Sequence, residues 1–172
     1  MIFETERLFI KSLEESDEAL FYDMMHNPKV MDPIPRTTLN AAESKAKLLS
    51  LIEAEKTENN RIWAVSKKSN NEFIGLAGFV NNNADGISNE LAYMFRETAW
   101  GNGHGTEITK GLIQYGFQLL NFDEIRADVN VENVGSVKIL NRFLSLEMEL
   151  FNKKDNCMDR KYKLLKAEWN KF

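Results

Sequence analysis

Three glycines on alternate positions are the residues whose type and spacing point most directly to chemistry. Gly101, Gly103 and Gly105 follow an apolar run and precede a stretch of helical periodicity, in the segment RETAWGNGHGTEITKG. Glycine lets the backbone turn tightly and leaves its N–H groups uncovered. A helix that starts near Thr106 adds the positive end of its dipole at the same place. The pattern therefore predicts a cradle for an anionic ligand, most simply a diphosphate.

Two common phosphate-binding patterns do not match this loop. The dinucleotide fingerprint G-x-G-x-x-G opens a strand–helix–strand unit. Counted from Gly101 and Gly103, its third glycine would fall at position 106, which is a threonine here, and the loop lies in the middle of the chain. A P-loop needs G-x-x-x-x-G-K-S/T, which the sequence lacks. The glycines alone leave the identity of a nucleotide ligand open.

The elements that must position this loop follow from hydrophobic periodicity and turn residues. Strands are predicted at Arg7–Leu13, Ile62–Ser66, Phe73–Val80, Ile87–Phe95 and Glu124–Val129, with two closing strands near Phe151 and at Tyr162–Leu165. Helices are predicted from about Ser16 to Met25, from a capping box at Asn40 and Glu43 to about Thr57, from Thr106 onward, and over Asn133–Phe143. The segment HNPKVMDPIPRTT, with all three prolines, is predicted as a loop, and NNNADG as a turn.

The order of these elements predicts one domain over residues 1–172, with a mixed α/β sheet covered by helices on both faces. The second helix is expected to bury a stripe made of Ala42, Ala46, Leu49 and Ile52. The helix after the glycine loop is expected to bury Ile108, Leu112, Tyr115 and Leu119.

Composition bounds the class of protein. The 172 residues are 43% hydrophobic and 28% charged, with a net charge of −4. This charge argues against general nucleic-acid binding and suits cationic substrates such as amines, although ordinary solubility explains it equally well. The single cysteine, Cys157, suits a reducing cytoplasm. The chain has neither a signal-peptide pattern in MIFETERLF nor an apolar run near the ~18 residues of a membrane span, so we expect a cytoplasmic protein with no membrane partner.

Three separate stretches carry a resemblance to a known family. They are ETERLFIKSLEESDEALFYDMMHNPKVMDPIP, ELAYMFRETAWGNGHGTEITKGLIQYGF and VNVENVGSVKILNR, and they cover most of the chain. In this order they resemble the GNAT superfamily of acetyl-CoA-dependent N-acetyltransferases. Within it, the chain looks most like the branch of ribosomal-protein alanine N-acetyltransferases and spermidine N-acetyltransferases. The resemblance implies an acyl-CoA N-acyltransferase fold in which the central strand splays from its parallel neighbour.

The resemblance also implies where acetyl-CoA would bind as cosubstrate. Backbone groups near Tyr93 and Phe95 would pair with the pantetheine arm, as if it were a strand. The loop would hold the pyrophosphate through backbone N–H groups, at Trp100, Gly101, Asn102, Gly103, His104, Gly105 and Thr106. Trp100 stands where the family usually has Gln or Arg. Asn133 and Ser136 match the family's N-x-x-S and would bind the cofactor, although capping of a helix explains both equally. Arg142, with Lys138, would offset phosphate charge.

Two departures from the family concern the chemistry and the last helix. Leu140 occupies the position at which some relatives carry a tyrosine that protonates the leaving thiolate. Leu144 and Ser145 stand where a glycine and an aromatic residue normally end the helix, so the turn after it is expected to differ. Because a CoA thiolate is a fair leaving group that water can reprotonate, the missing tyrosine need not abolish activity.

Glu90 is the candidate general base, since family members often place a carboxylate on this strand a few residues before the loop. A solvated or core-edge glutamate is the alternative. His104 has the right residue type for a base, but its place in the loop favours a spacer with an exposed ring. His26 lies in the proline-rich segment that would flank the acceptor. The two histidines and Cys157 show no ligand spacing, so we expect no metal.

Three possibilities remain open from the sequence. The first is an enzyme that transfers acetyl to a protein N-terminus or a small amine, by direct attack on the thioester through a tetrahedral intermediate. The second is a CoA-binding sensor or degenerate relative without turnover. A different nucleotide in the same cradle is a third. The acceptor cannot be named because its specificity resides in irregular loops, and a homodimer is compatible with the sequence.

Overall fold

The computed structural model describes residues 1–56, 61–80 and 89–169. In chain order the strands are β1 (Phe3–Glu4), β2 (Leu8–Lys11), β3 (Arg61–Lys67), β4 (Phe73–Val80), β5 (Glu90–Phe95), β6 (Glu124–Asn130), β7 (Ser145–Asn152) and β8 (Cys157–Leu165). The helices are α1 (Glu18–Met25), α2 (Pro28–Met31), α3 (Ala41–Lys56), α4 (His104–Gln118), α5 (Val134–Phe143) and α6 (Lys166–Trp169), with short 3₁₀ turns at Glu15–Asp17 and Glu97–Ala99. The predicted NNNADG turn, the start of the strand predicted from Ile87 and the end of the helix predicted to Thr57 lie outside the described residues.

The strands form one mixed sheet in the order β1-β2-β3-β4-β5-β6-β8-β7, in which only β5 and β6 are parallel. These two strands share a single registered pair, Glu90 with Arg126. On its other side, β5 stays paired with β4 from Glu90 to Phe95. The sheet therefore opens between the carboxyl-terminal halves of β5 and β6, as the predicted fold class requires.

A hydrophobic core covers each face of the sheet, because side chains alternate between faces along every strand. Helices α4 and α5 close one core, which includes Ile108, Leu112 and Leu140. Helices α1, α2 and α3 close the other, which includes Phe21, Met24 and Leu48. Strand β4 lies between the two cores and is buried from Phe73 to Phe79. No helix in the described ranges is long and apolar enough to cross a membrane.

The proline-rich segment was wrongly predicted as loop throughout, because it contains α2. Pro28 is the first residue of this helix, a position at which proline costs no hydrogen bond and its fixed φ suits the helix. Asn27 caps it, since Asn27 Oδ1 accepts a hydrogen bond from the Lys29 N–H at 3.0 Å. Helix-breaking residues therefore start a short helix here.

The buried face of α3 was predicted wrongly at three of its four residues, since Ile52 is half-buried and packs against the core. Ser44, Leu48 and Leu51 are buried, whereas Ala42, Ala46 and Leu49 are exposed. Alanines suit either face of a helix, so they gave the pattern the wrong phase. The predicted capping box is confirmed: Asn40 N–H donates to Glu43 Oε2 at 2.9 Å, and Glu43 N–H donates to Asn40 Oδ1 at 3.0 Å.

Helix α4 follows its predicted face only in part. Ile108 and Leu112 are fully buried and Tyr115 is half-buried. Leu119 is 65% exposed, because the helix ends at Gln118 and the chain turns away toward β6.

Gly78 makes the tightest backbone approach among the described glycines, and we predict that Gly78→Ala destabilises the fold. An added Cβ would lie 1.7 Å from the Arg61 carbonyl oxygen of β3, so β3 and β4 would have to separate. We expect a loss of about 3 kcal/mol in the free energy of unfolding, measured by urea denaturation. Gly135→Ala is the control, because its added Cβ meets nothing nearer than Asn133 Oδ1 at 3.9 Å. Equal stability of the two variants would contradict this packing.

Candidate functional site

The glycine loop runs from the end of β5 to the first turn of α4. Gly101 and Gly103 have φ values of 76° and 77°, in the left-handed region that glycine adopts without strain. Helix α4 begins at His104, two residues before the predicted start at Thr106, and Gly103 is its N-cap. No side chain of the described chain caps this helix. The backbone N–H groups of its first turn therefore point out of the helix end beside the positive pole of the dipole.

Gly105 serves a different purpose from the other two glycines. It lies inside α4, where an added Cβ would come within 2.7 Å of Ile139 Cδ1 on α5. A side chain at this position would require the Ile139 side chain to move. Gly101 and Gly103 thus allow the left-handed turns of the loop, and Gly105 leaves room for the Ile139 side chain of α5. None of the three places a side chain beside the backbone N–H groups of the loop.

The loop is held in place by its own side chains. The Trp100 indole Nε1 donates to the Phe95 carbonyl at 3.0 Å, and Asn102 Nδ2 donates to the Trp100 carbonyl at 2.9 Å. His104 Nδ1 lies 3.2 Å from the Ala99 carbonyl, and it must carry the proton to donate to that oxygen. These contacts fix the loop without using the amides of the first helical turn.

The predicted exposed ring of His104 is wrong, since the residue is only 7% exposed. Its ring lies under the loop, with its centroid 6.3 Å from that of Phe95. Burial lowers the pKa of His104, the Arg7 charge adds to this effect, and the Ala99 carbonyl opposes it. The histidine is therefore a neutral anchor of the loop.

The free edge of β5 faces the gap that opens toward β6. At one end of the strand, the Asn89 carbonyl accepts from the Arg126 N–H of β6 at 3.1 Å, and at the other the Arg96 N–H donates to the Ile74 carbonyl of β4 at 2.9 Å. Because backbone groups alternate in direction along a strand, those of Tyr93 and Phe95 point into the gap. The Phe95 oxygen already accepts the Trp100 indole, so Tyr93 offers the gap both of its backbone groups.

A cavity of about 580 Å³ joins this edge to the glycine loop. The first turn of α5 forms its far wall, with Asn133 and Ser136 in the lining. Asn133 caps that helix, since its Oδ1 accepts a hydrogen bond from the Ser136 N–H at 3.2 Å. The capping alternative for Asn133 is thus confirmed, and contact with a ligand stays a prediction for both residues.

The Tyr93 hydroxyl is an unusual feature of this cavity. Its oxygen is buried and has no hydrogen-bond partner in the described structure. Burial raises the pKa of the Tyr93 phenol, and the nearby Ser136 and Thr109 hydroxyls oppose this only in part. The cavity fits an extended anionic ligand with polar groups along its length. It combines the neutral Tyr93 hydroxyl beside the gap, two left-handed glycines and the uncapped start of α4.

A second cavity, of about 680 Å³, lies against the other face of β5 and contains Glu90. Glu90 is 7% exposed and shares its face of the strand with Ala92 and Met94. Tyr93, Met94, Asn133 and Ser136 belong to the linings of both cavities, so the two meet at β5. The lining has more acidic than basic side chains, namely Glu90, Asp128, Asp155 and Asp159 against Arg36, Lys47 and Lys154.

Comparison with known proteins decides what kind of site this is. The acetyltransferase (GNAT) domain family model matches residues 7–143. The chain belongs to the GNAT acetyltransferase family. The N-acetyltransferase p20 of Bacillus licheniformis, itself uncharacterized, is 30% identical over 148 residues, which are 84% of this chain and 82% of p20. The resemblance inferred from the sequence is therefore confirmed, and the protein is an acetyltransferase.

Solved structures share the fold. The spermidine N-acetyltransferase of Vibrio cholerae, solved in complex with CoA and spermine, matches with a TM-score of 0.78 at 19% identity, over 95% of this chain and 98% of that one. The ribosomal L7/L12 α-N-protein acetyltransferase RimL, solved in complex with coenzyme A, matches with a TM-score of 0.78 at 16% identity, over 95% and 97%. These enzymes represent both parts of the branch that the sequence resembles.

Two candidate residues, Arg142 and His26, lie outside the linings of both cavities. Arg142 is exposed in the last turn of α5, and its contact with a phosphate stays a prediction. His26 is exposed at the end of α1, where its Nδ1 lies 3.2 Å from the Leu39 carbonyl. Within the described ranges no cluster of His, Cys, Asp or Glu is arranged to hold a metal ion.

The departures of this chain from the GNAT pattern have a structural basis. Leu140 is 2% exposed and packs in the core under α5, which places no acid at this position. Leu144 follows α5 with φ −123° and ψ 157°, so the helix passes directly into the extended chain of β7. A glycine is not required there, because no residue at this turn adopts a left-handed conformation.

Sequence reasoning missed Arg7, which reaches the glycine loop from the start of β2. Arg7 Nη1 donates to the Asn102 carbonyl at 2.9 Å. The two residues are 95 positions apart, and no periodicity or spacing connects them. The sequence signal was present only as part of the ETERL segment that carries the family resemblance.

Because burial lowers the pKa of His104 below its ordinary value of 6.5, we predict a pH-dependent contribution to stability. The unfolded state binds the proton more readily, so this contribution is complete above about pH 6.5 and is lost as the pH falls toward the lower folded pKa. The difference in unfolding free energy between the wild type and His104→Gln should therefore shrink between pH 7.5 and pH 5. His26→Gln is the control for loss of an imidazole. A difference that grows on acidification would show that His104 is stabilised in its charged form.

Proposed function

We propose that this protein is an acetyl-CoA-dependent N-acetyltransferase whose acceptor is a primary amine, either a protein N-terminus or a small amine such as a polyamine. The observation that carries the proposal is the meeting of two cavities at the open edge of β5. One has the uncapped helix end and the glycine loop, and the other has the acidic lining. Structures of the same fold contain CoA, in one case together with spermine, which supports a CoA cosubstrate and an amine acceptor.

Acetyl-CoA supplies an activated thioester when it is bound. Backbone N–H groups from Asn102 to Thr106 would hold its diphosphate, and the edge of β5 at Tyr93 and Phe95 would pair with its pantetheine arm. The neutral Tyr93 hydroxyl has its partner missing in the protein, so it would donate to a polar atom of that arm. Asn133 and Ser136 would line the same arm from α5.

The acceptor side has the features that a cationic amine requires. Carboxylates outnumber cations by four to three in the lining, a small excess that favours a positively charged group only weakly, because Asp128 and Asp155 are paired with Lys161 and Arg36. The amine must lose a proton before it attacks, and Glu90 is the carboxylate next to the paired end of β5. An α-amino group, with a pKa of about 7.7–8.0, needs only modest help from such a base.

The neutral amine then attacks the thioester carbonyl directly, through a tetrahedral intermediate. A backbone N–H on the splayed edge of β5 is the natural donor to the oxyanion, since it is rigid and needs no reorganisation. Leu140 provides no proton for the departing thiolate, so solvent would supply it. The enzyme's main contribution would be alignment of the two reactants, worth on the order of 7–11 kcal/mol at best.

A thiol-release screen tests the proposed function. Acetyl-CoA would be supplied with ribosomal N-terminal peptides, polyamines and aminoglycosides, and free CoA thiol would be measured. Release that depends on one class of amine is the expected result. Tight binding of CoA with no thiol released by any acceptor would favour the CoA-binding sensor instead. Calorimetry with CoA, NAD and ATP in parallel would detect a different nucleotide ligand.

We predict that Glu90→Gln lowers kcat/KM for the amine by about 10²–10⁴-fold, the usual contribution of a general base. Affinity for CoA should not change, because Glu90 lines only the acceptor cavity. Glu53→Gln is the matched control, since Glu53 is exposed on α3 and pairs only with Lys56 among the described residues. Full activity of Glu90→Gln across the pH range would exclude the residue as base.

A further inference from the structure

Arg7 connects the start of β2 to the glycine loop through a small network of hydrogen bonds. Its Nη1 donates to the Asn102 carbonyl at 2.9 Å, and its Nε donates to Glu107 Oε2 at 2.6 Å. The Arg7 backbone N–H donates to Glu107 Oε1 at 2.7 Å. The Thr5 hydroxyl donates to the same oxygen at 2.6 Å. The guanidinium is therefore fixed at two points, one on the loop and one on the first turn of α4.

The contact with Asn102 determines which way one peptide unit faces. A trans peptide is planar, and its C=O and N–H point in opposite directions. Because Arg7 draws the Asn102 carbonyl toward β2, the N–H of Gly103 is turned away from Arg7. The left-handed conformation of Gly103, with φ 77°, permits this orientation. The orientation of this peptide therefore depends on both the hydrogen bond from Arg7 and the backbone conformation of Gly103.

Glu107 places a carboxylate in the first turn of α4, where its negative charge would repel a bound diphosphate unless it is paired. Burial by itself would raise the pKa of Glu107, but the hydrogen bonds from Thr5 and Arg7 and the Arg7 charge outweigh it and lower the pKa. The carboxylate is thus ionised in the first turn of α4, where a diphosphate would bind. The Arg7 side chain, 49% exposed, pairs directly with the Glu107 side chain, 14% exposed.

We propose that Arg7 is a positioning residue for the cofactor: it holds the Asn102–Gly103 peptide with its N–H facing the diphosphate and keeps Glu107 paired. This inference rests on the proposed binding of acetyl-CoA. Arg7 acts through the main chain of the loop, so its effect appears in affinity for the diphosphate. It needs no direct contact with the ligand.

The first test compares CoA affinities by calorimetry. Arg7→Met should weaken CoA binding about ten-fold, the effect of losing one well-placed hydrogen bond. Lys68→Met is the matched control, because Lys68 is a cation at the same edge of the sheet that pairs with Glu4 and not with the loop. Lys68→Met should bind CoA like the wild type. Urea unfolding of each variant verifies that it is folded.

Two further measurements separate positioning from simple charge. In Arg7→Met/Glu107→Gln the local charge is balanced again but the peptide stays unheld, so CoA binding should remain weak. Recovery of wild-type affinity would overturn the positioning role in favour of charge balance. The ratio of affinities for CoA and 3′-dephospho-CoA should be the same in Arg7→Met and the wild type. Loss of that preference would overturn the proposal by showing direct contact with the 3′-phosphate.

The chemical shift of the Gly103 amide proton reports on the loop directly, and a change in the overall stability of the protein would not alter its response to CoA. In ¹H–¹⁵N spectra its proton should shift downfield when CoA is added to the wild type, and much less in Arg7→Met. If the wild type binds no CoA, the proposed function itself fails. If the wild type binds CoA and Arg7→Met binds it equally well with the same Gly103 shift, only the role of Arg7 is refuted.

Discussion

The central physical constraint in the described structure is a set of backbone N–H groups that have no partner within α4 or in a neighbouring strand of β5. The first turn of any helix has such groups, and α4 has no side-chain cap to satisfy them. The edge of β5 beyond Glu90 has the same need, because β6 pairs with it at one position only. Both sets of groups border one cavity. Water or a polar ligand can complete such groups, and their arrangement along one cavity suits an extended polar ligand.

The rest of the chain holds these two segments rigidly without covering them. Strand β4 is buried between two cores and fixes one edge of β5. Trp100 and His104 tie the loop to carbonyl groups at its own start, and Gly105 lets α5 approach α4 closely. The second cavity shares β5 and the start of α5 with the first, and it adds residues of β6 and of the hairpin of β7 and β8.

The sequence was most informative where local chemistry decides structure. Strand β4 has the predicted bounds, and the capping box at Asn40 and Glu43 and the left-handed glycines of the loop follow from residue type alone. The phase of α3 failed because its alanines are indifferent to burial. The ring of His104 was misjudged because its burial depends on Phe95 and Ala99, which approach only in the folded loop. Arg7 and Glu107 meet across 100 positions, and no local pattern records such a contact.

The division of labour between main chain and side chains explains how this chain departs from its family and keeps the site. Trp100 replaces the polar residue usual at the start of the loop, and its indole serves the loop itself. Leu140 occupies the position at which the resemblance places a tyrosine in some relatives, and it fills the core. Neither change alters the backbone amides, which depend on glycines, on a helix end and on the open sheet.

The most direct test of this account is a crystal structure of the protein with CoA bound. The account predicts the diphosphate within hydrogen-bonding distance of the backbone N–H groups between Asn102 and Thr106, with the pantetheine arm along the edge of β5. Ordered CoA at any other place, or a loop closed by one of the protein's own side chains in its presence, would contradict it.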